Sequence, residues 1–259
     1  MTKKQKLPPI DFEQECSTVW SFPRRGNWLT HNSKYRGNWS PEVVRNLITR
    51  YSKKDNLLDP MIGGTTAIES KVMGRNLLCY DINPEAIKLT ESLLDFEDIL
   101  EQINECLEEH DLKKNKWKIK VLHHDATIKN ENLKKESIDF VLMHPPYADI
   151  VKYSEKIKED LSNIHDIDKF CDEIEKVAKE SFRVLKPKYC AVLMDTRREK
   201  MYQPLAFKVM ERFIKVFALK EDIIKVQHNC KATFWVKKSK DFNFLLIMHE
   251  HLFIFKKLK

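Results

Sequence analysis

Four residues in succession, His144, Pro145, Pro146 and Tyr147, follow the apolar run Ile138-Asp-Phe-Val-Leu-Met143. The run is as long as a buried strand, and two prolines cannot continue a ladder, so the sequence predicts a strand that delivers a rigid loop. In an open α/β sheet, ligands sit beyond the carboxyl ends of the strands. A hydrogen-bonding imidazole and the flat face of Tyr147 would then stand at the working crevice. Pro-Pro after a strand is more often just a stiff turn, so the decision falls to the residues upstream.

There, Asn56-Leu-Leu-Asp59-Pro60 reads as a strand, and Met61-Ile-Gly63-Gly64-Thr65-Thr66 as a tight loop opening a helix near Thr65 or Thr66. Glycines let the backbone approach a ligand, and the helix start presents unpaired N–H groups. No Lys-Ser or Lys-Thr follows the glycines, which argues against a phosphate-cradling loop, and the dinucleotide spacing Gly-x-Gly-x-x-Gly is absent. The next strand, Asn76 to Asp81, ends in a carboxylate that can take both hydroxyls of a ribose. Asp125, just past a third strand at Lys118 to His123, could accept from an adenine amino group. His123-His124 and His249-x-His251 lack a carboxylate or cysteine at supporting spacing, so no metal is expected.

Helices are needed to hold these loops. Ser40-Pro41-Glu42 opens one, with Ser40 as N-cap and Val43, Val44, Leu47, Ile48 and Tyr51 as its buried stripe. Asn83-Pro84-Glu85 opens another, expected to run with a break towards Leu107, and residues 108–117 read as a charged connection. Phe170, Ile174, Val177, Ala178, Phe182 and Leu185 mark a helix that stops at Lys186-Pro187, and Tyr189 to Met194 reads as a fifth strand. A helix at Leu205 to Phe217 and strands near Asp222 to Gln227 and Leu252 to Phe255 follow. Alternating strands and helices predict an α/β fold, a mostly parallel sheet with helices on both faces.

Residues 1–18 read as a flexible N-terminal arm and 19–259 as one domain with small insertions at about 151–166, 195–203 and 228–243. The six cysteines include no Cys-x-x-Cys pair, so neither disulfides nor a zinc knuckle is expected. No apolar run is long enough to cross a membrane and the N-terminus lacks a secretory segment, so a cytoplasmic location is expected. A formal charge of +7 fits a polyanionic partner without requiring one. Trp20 to Pro41 interleaves aromatic, basic and small polar residues, which suits either a cover over a ligand with phosphate contacts or an irregular cap packing its tryptophans.

The ordered set Asp59-Pro-Met-Ile-Gly-Gly-Thr-Thr66, Asp81-Ile-Asn-Pro84, Asp125-Ala126 and His144-Pro-Pro-Tyr147 resembles the S-adenosylmethionine-dependent methyltransferases that modify DNA at adenine N6 or cytosine N4. Thr30 to Pro41 is similar to the family's segment over the methionine end of the cofactor. The resemblance implies a Rossmann-like class I fold with a seven-stranded sheet, and S-adenosylmethionine bound by Thr30, Asn38, Ser40, Asp59, Pro60, Gly63, Gly64, Thr65, Thr66, Asp81, Ile82, Asn83, Asp125, Ala126 and His144. It departs from the family in two places: Gly63 and Gly64 are adjacent, which shortens the loop by one residue, and His144 stands where Asp, Asn or Ser is usual.

The resemblance further implies that the His144 side chain and the Pro145 carbonyl accept the amino hydrogens of a flipped base, adenine favoured over cytosine, while Tyr147 stacks on it and Pro146 stiffens the loop. Only neutral imidazole can accept, so an ordinary His144 would lose activity as pH falls through about 6.5. The partner would be double-stranded DNA, met by Arg24, Arg25, Lys34, Arg36, Lys152, Tyr153, Arg197, Arg198, Lys200, Lys237 and Lys238. A companion restriction endonuclease is compatible with this class. The alternatives are a tRNA guanine N-methyltransferase, or an inactive nucleic-acid-binding protein that keeps the fold.

Overall fold

In the computed structural model, which describes residues 6–9, 11–53, 55–96 and 117–259, the apolar runs become strands and the stripes of helical period become helices. In chain order the elements are β1 (Val19–Ser21), α1 (Pro41–Tyr51), β2 (Asn56–Asp59), α2 (Thr65–Val72), β3 (Asn76–Asp81), α3 (Pro84–Leu93), β4 (Ile119–His123), β5 (Ile138–Met143), α4 (Ile167–Val184), β6 (Leu185–Met194), β7 (Arg197–Arg198), β8 (Tyr202–Gln203), α5 (Leu205–Phe213), β9 (Ala218–Val226), α6 (Val236–Asp241) and β10 (His249–Lys256). The expected helix extension towards Leu107, the connection at 108–116, Cys106 and residues 1–5 of the arm lie outside the described residues.

Eight strands form one sheet in the order β1-β9-β10-β6-β5-β2-β3-β4. The five from β6 to β4 are parallel, and β10 is antiparallel to both of its neighbours. The carboxyl ends of β2 to β6 and of β9 therefore share one edge of the sheet. β5, at the centre, is buried along its whole length. Its alternate residues divide the core: Val141 and Met143 pack with Phe170, Val177, Val209 and Phe213 of α4 and α5, whereas Phe140 and Leu142 pack with Val44, Leu47 and Ala67 of α1 and α2. Asp139, within this strand, is tolerated because Lys186 and Lys188 reach it at 2.8 and 2.9 Å.

Two details differ from expectation. The sheet has an eighth strand, β1, which pairs parallel with β9 and buries Trp20. And β6 starts directly after α4, so that Pro187 lies inside a strand. Pro187 falls where the β5–β6 register shifts and beyond the end of the β10 pairing, so the ladder asks no hydrogen of it.

The described part of the arm is fastened to the body: Leu29 N donates to Lys6 O at 2.8 Å, Arg45 Nη1 to Pro9 O at 3.2 Å and Glu15 N to Asn46 Oδ1 at 2.8 Å. Beneath it lies a buried polar cluster that sequence reading missed. Glu69 of α2, fully buried, accepts from Trp28 Nε1 at 2.7 Å, His31 Nε2 at 2.8 Å and Arg45 Nε at 2.8 Å. Burial opposes ionisation of Glu69, but the Arg45 charge and these donors more than offset it and hold the carboxyl below its ordinary range.

Candidate active site

At the carboxyl edge a cleft of about 600 Å³ opens between the loops that follow β2, β3, β4 and β5. Seven of the fifteen residues expected to bind the cofactor line it: Pro60, Gly63, Asp81, Ile82, Asp125, Ala126 and His144. The others shape the walls. Thr30 Oγ1 donates to Leu93 O, Ser40 Oγ to Glu42, and Thr65 Oγ1 to Trp39 O at 3.2 Å. Asn38 is bonded on both sides of its amide, accepting from Arg25 at 2.9 Å and donating to Asn32 O at 3.0 Å. Asn83 caps α3 by accepting from Glu85 N at 3.0 Å. Thr66 is fully buried, and Asp59 lies under the glycine loop, accepting from Met61 N at 3.0 Å.

The shortened glycine loop works by backbone conformation. Gly64 has φ +98°, and a Cβ there would lie 2.7 Å from Leu93 Cδ1, whereas one on Gly63 would meet Asn38 Cα at 3.3 Å. Gly64→Ala is therefore expected to cost about 1–3 kcal/mol of stability through strain and to weaken cofactor binding with it. Thermal melts with and without S-adenosylmethionine would show this, and an unchanged melting temperature would contradict it.

Two stretches form the roof of the cleft. Tyr35 and Gly37 come from the aromatic-basic stretch, and Tyr153, Asp160 and Leu161 from the insertion expected at about 151–166 after β5. Tyr153, expected at nucleic acid, instead packs against Tyr35 with ring centroids 5.6 Å apart, and its hydroxyl fills the space a side chain at Gly37 would need. Asn83 Nδ2 donates to Tyr153 O at 3.3 Å, and Tyr153 N to Ser162 Oγ at 3.0 Å. The glycine at position 37, with φ +95°, was the available signal.

The lining suits a ligand rich in donors. It carries the carboxylates of Asp81, Asp125, Glu159 and Asp160 and no lysine or arginine. Asp160 is 5% exposed, with Oδ1 accepting from Ser162 N at 2.8 Å and Oδ2 buried without a partner. S-adenosylmethionine offers ribose hydroxyls, an amino group and an ammonium group, so these residues fit it. Burial pushes the Asp81 carboxyl up to about 7, with Asn83 N opposing at 2.7 Å. Ribose hydroxyls donate to the ionised form, so binding should release a proton near neutrality and affinity should rise from about pH 6 to 8. Calorimetry in two buffers of different ionisation enthalpy reads that proton, and identical heats would remove Asp81 from the contact.

The loop His144 to Tyr147 is tied inward. His144 Nε2 lies 2.5 Å from the Tyr147 hydroxyl, which donates to Glu250 Oε1 at 2.7 Å, while Lys225 Nζ donates to Glu250 Oε2 at 2.7 Å. The imidazole sits 5.5 Å from the Trp39 ring, centroid to centroid. Burial brings its pKa down to about 4, against a smaller opposing pull from Glu250. This corrects the ordinary value assumed from sequence: the ring is neutral over the whole physiological range. Tyr147 is followed by Ala148 at φ +50°, an uncommon conformation for alanine, which turns the chain sharply out of the site.

Two cations expected at phosphates are engaged elsewhere. Arg25 bonds Asn38 and the Trp39 carbonyl, and Arg197, 9% exposed, is paired with Asp149 and Glu199. Arg24, Lys34, Arg36, Lys152, Lys200, Lys237 and Lys238 are exposed, and Arg198 lies over the Tyr202 and Phe244 rings at 5.9 and 5.6 Å. Phe234 and Trp235 are exposed beside Lys237 and Lys238. Among the described residues, no group of three or more His, Cys, Asp or Glu is placed to hold a metal, and no helix is long and apolar enough to cross a membrane.

Comparison with known proteins agrees with this geometry. Residues 2–92 match the sequence model of the N6/N4 methyltransferase family, described as DNA methylase. No curated protein matches the chain. Among solved structures, a protein from Bacillus halodurans provisionally named a methyltransferase is 10% identical, with 84% of this chain and 98% of that one covered at a TM-score of 0.50. A SAM-dependent methyltransferase from Methanosarcina mazei is 17% identical over 82% of this chain and 98% of its own, with a TM-score of 0.49. A protein from Thermus thermophilus provisionally named a DNA modification methylase is 20% identical, covering 49% of this chain and 47% of its own at a TM-score of 0.37. The chain therefore has a Rossmann-like class I methyltransferase fold, with a cleft whose lining fits S-adenosylmethionine, and over residues 2–92 it is similar to the N6/N4 DNA methylase family.

Proposed function

We propose that the protein methylates the exocyclic amino group of a base flipped out of double-stranded DNA, adenine in preference to cytosine. The observation that carries this reading is the loop His144 to Tyr147, set at the carboxyl end of β5 beside the cleft, in a chain whose N-terminal third matches DNA methylases. S-adenosylmethionine, when bound, supplies a methyl group activated by its sulfonium charge. The exocyclic nitrogen is a poor nucleophile because its lone pair is delocalised into the ring. His144 and the Pro145 carbonyl accept its two hydrogens, bend it towards tetrahedral geometry and free the lone pair. Pro146 stiffens the loop and the Tyr147 ring supports the base. The exposed cations from Arg24 to Arg36, with Lys152, Arg198, Lys200, Lys237 and Lys238, are the phosphate contacts of this reading. Residues 19–259 act as one unit in it, with the segments near 195–203 and 228–243 facing the duplex.

Incubation with methyl-labelled S-adenosylmethionine and either genomic DNA or total RNA, followed by nucleoside analysis, tests it directly. N6-methyladenine or N4-methylcytosine in DNA is the expected product. Label in RNA alone, or in neither polymer while the cofactor binds, would overturn the reading.

A further inference from the structure

Counting donors and acceptors from Lys225 to His144 leaves one solution. Lys225 Nζ can only donate, and it reaches Glu250 Oε2 at 2.7 Å. Glu250 is nine-tenths buried; burial opposes its ionisation, but Lys225 overrides this and holds the carboxyl below its ordinary range. An ionised carboxylate can only accept, so the Tyr147 hydroxyl, 2.7 Å from Glu250 Oε1, places its single hydrogen there. The 2.5 Å contact between that hydroxyl oxygen and His144 Nε2 must then be filled by a hydrogen on Nε2. A neutral imidazole has only one such hydrogen, so Nδ1 is left as a bare lone pair. In the structure Nδ1 is buried and makes no well-aligned hydrogen bond, while the Gly37 main-chain carbonyl lies close enough to attract a ring hydrogen and pull the imidazole pKa upward, so the Tyr147 side must hold the hydrogen on Nε2 against that pull.

Nδ1 is also two bonds from Cβ, as the side-chain oxygen of Asp or Asn would be at this position. The imidazole can therefore replace the usual acceptor only in one tautomer. We propose that Lys225, Glu250 and Tyr147 form a tautomer lock, which holds His144 with its hydrogen on Nε2 so that Nδ1 accepts the amino hydrogen of the target base. Lys225 and Glu250 are positioning residues that act through Tyr147. The inference rests on the reading of His144 as acceptor, but its test does not depend on methyl transfer. An unpartnered buried acceptor is costly, and an incoming amino N–H would relieve that cost.

The tautomer is read from nitrogen resonances of the full-length protein labelled with 15N-histidine, His144 being identified by its loss in His144→Asn. A protonated Nε2 and a bare Nδ1 are expected in the wild type. Tyr147→Phe keeps the ring but removes the acceptor for Nε2–H, and the hydrogen should move to Nδ1 beside the Gly37 carbonyl, changing the tautomer ratio by about tenfold or more. Glu250→Gln keeps the side-chain volume and should give a mixture of both forms. Single-turnover methyl transfer should fall about tenfold in Tyr147→Phe, and by much less when the same change is made in His144→Asn, where no ring hydrogen has to be placed. Hydrogen on Nδ1 in the wild type, or on Nε2 unchanged in both variants, would overturn the lock whether or not DNA is a substrate.

Discussion

His144→Ala is expected to lower single-turnover methyl transfer by about 10²–10³-fold, with cofactor affinity, measured separately by calorimetry, changed only a few-fold. The variant removes the acceptor for one amino hydrogen and leaves Pro145 alone to polarise the nitrogen. His144→Asn should keep much more of the rate, because an amide oxygen can take the same place. With the cofactor saturating at every pH, the wild-type rate should be flat from about pH 5.5 to 8. Burial brings the His144 pKa down to about 4, and the accepting neutral form is the one above the pKa, so loss begins only as pH falls towards about 5. A midpoint near 6.5 would mean the imidazole is solvated and its inward tie to Tyr147 is not made. An alanine variant within tenfold of wild type would take His144 out of the chemistry.

Glu69→Ala is expected to lower stability by about 3–5 kcal/mol, the usual cost of leaving a buried charge without its partner. Arg45 would remain between the Phe12 and Trp28 rings, 5.6 and 5.2 Å from their centroids, with its Nη2 already unbonded. Trp28 and His31 would lose their acceptor in the same step, loosening the stretch that supplies Tyr35 and Gly37 to the cleft. Urea unfolding reads the loss directly, and a change below about 1 kcal/mol would show that the cluster relaxes. The same linkage has a pH sign. A carboxyl held below its ordinary range contributes stability above its unfolded pKa, about 4.3, and that stability is lost as pH falls through the folded value.

Where sequence signals are local, reading and structure coincide. β3 and β5 match their expected bounds, and α1 and α3 start at Pro41 and Pro84, because caps, prolines and apolar runs are properties of adjacent residues. Asp81, Asp125 and His144 reach one cleft because each ends a parallel strand or directly follows one. What was not legible depends on distant partners. Glu250 meets Tyr147 across 103 positions, and β1 is three residues whose only recommendation is β9. The roof segment has no period to read, being built on two single turns at Ala148–Ile150 and Leu161–Asn163. The partners of Arg25 and Arg197 were equally hidden, since composition reports a charge and not what it faces.

The strand β1 has a consequence for the cover of the cleft. Paired with β9 at one end and continuous with α1 at the other, residues 22–40 form a loop closed within the folded chain, with both ends anchored on the same body. The entropy of bringing that loop across the cleft is therefore incurred when the protein folds, and not again each time a cofactor enters. Closure entropy grows only logarithmically, by about 0.6 kcal/mol per doubling of length, so extra residues between β1 and Trp28 would be tolerated. Cutting the chain there would turn the cover into a tether held at one end, and its local concentration over the cleft would fall with the reach of the free segment.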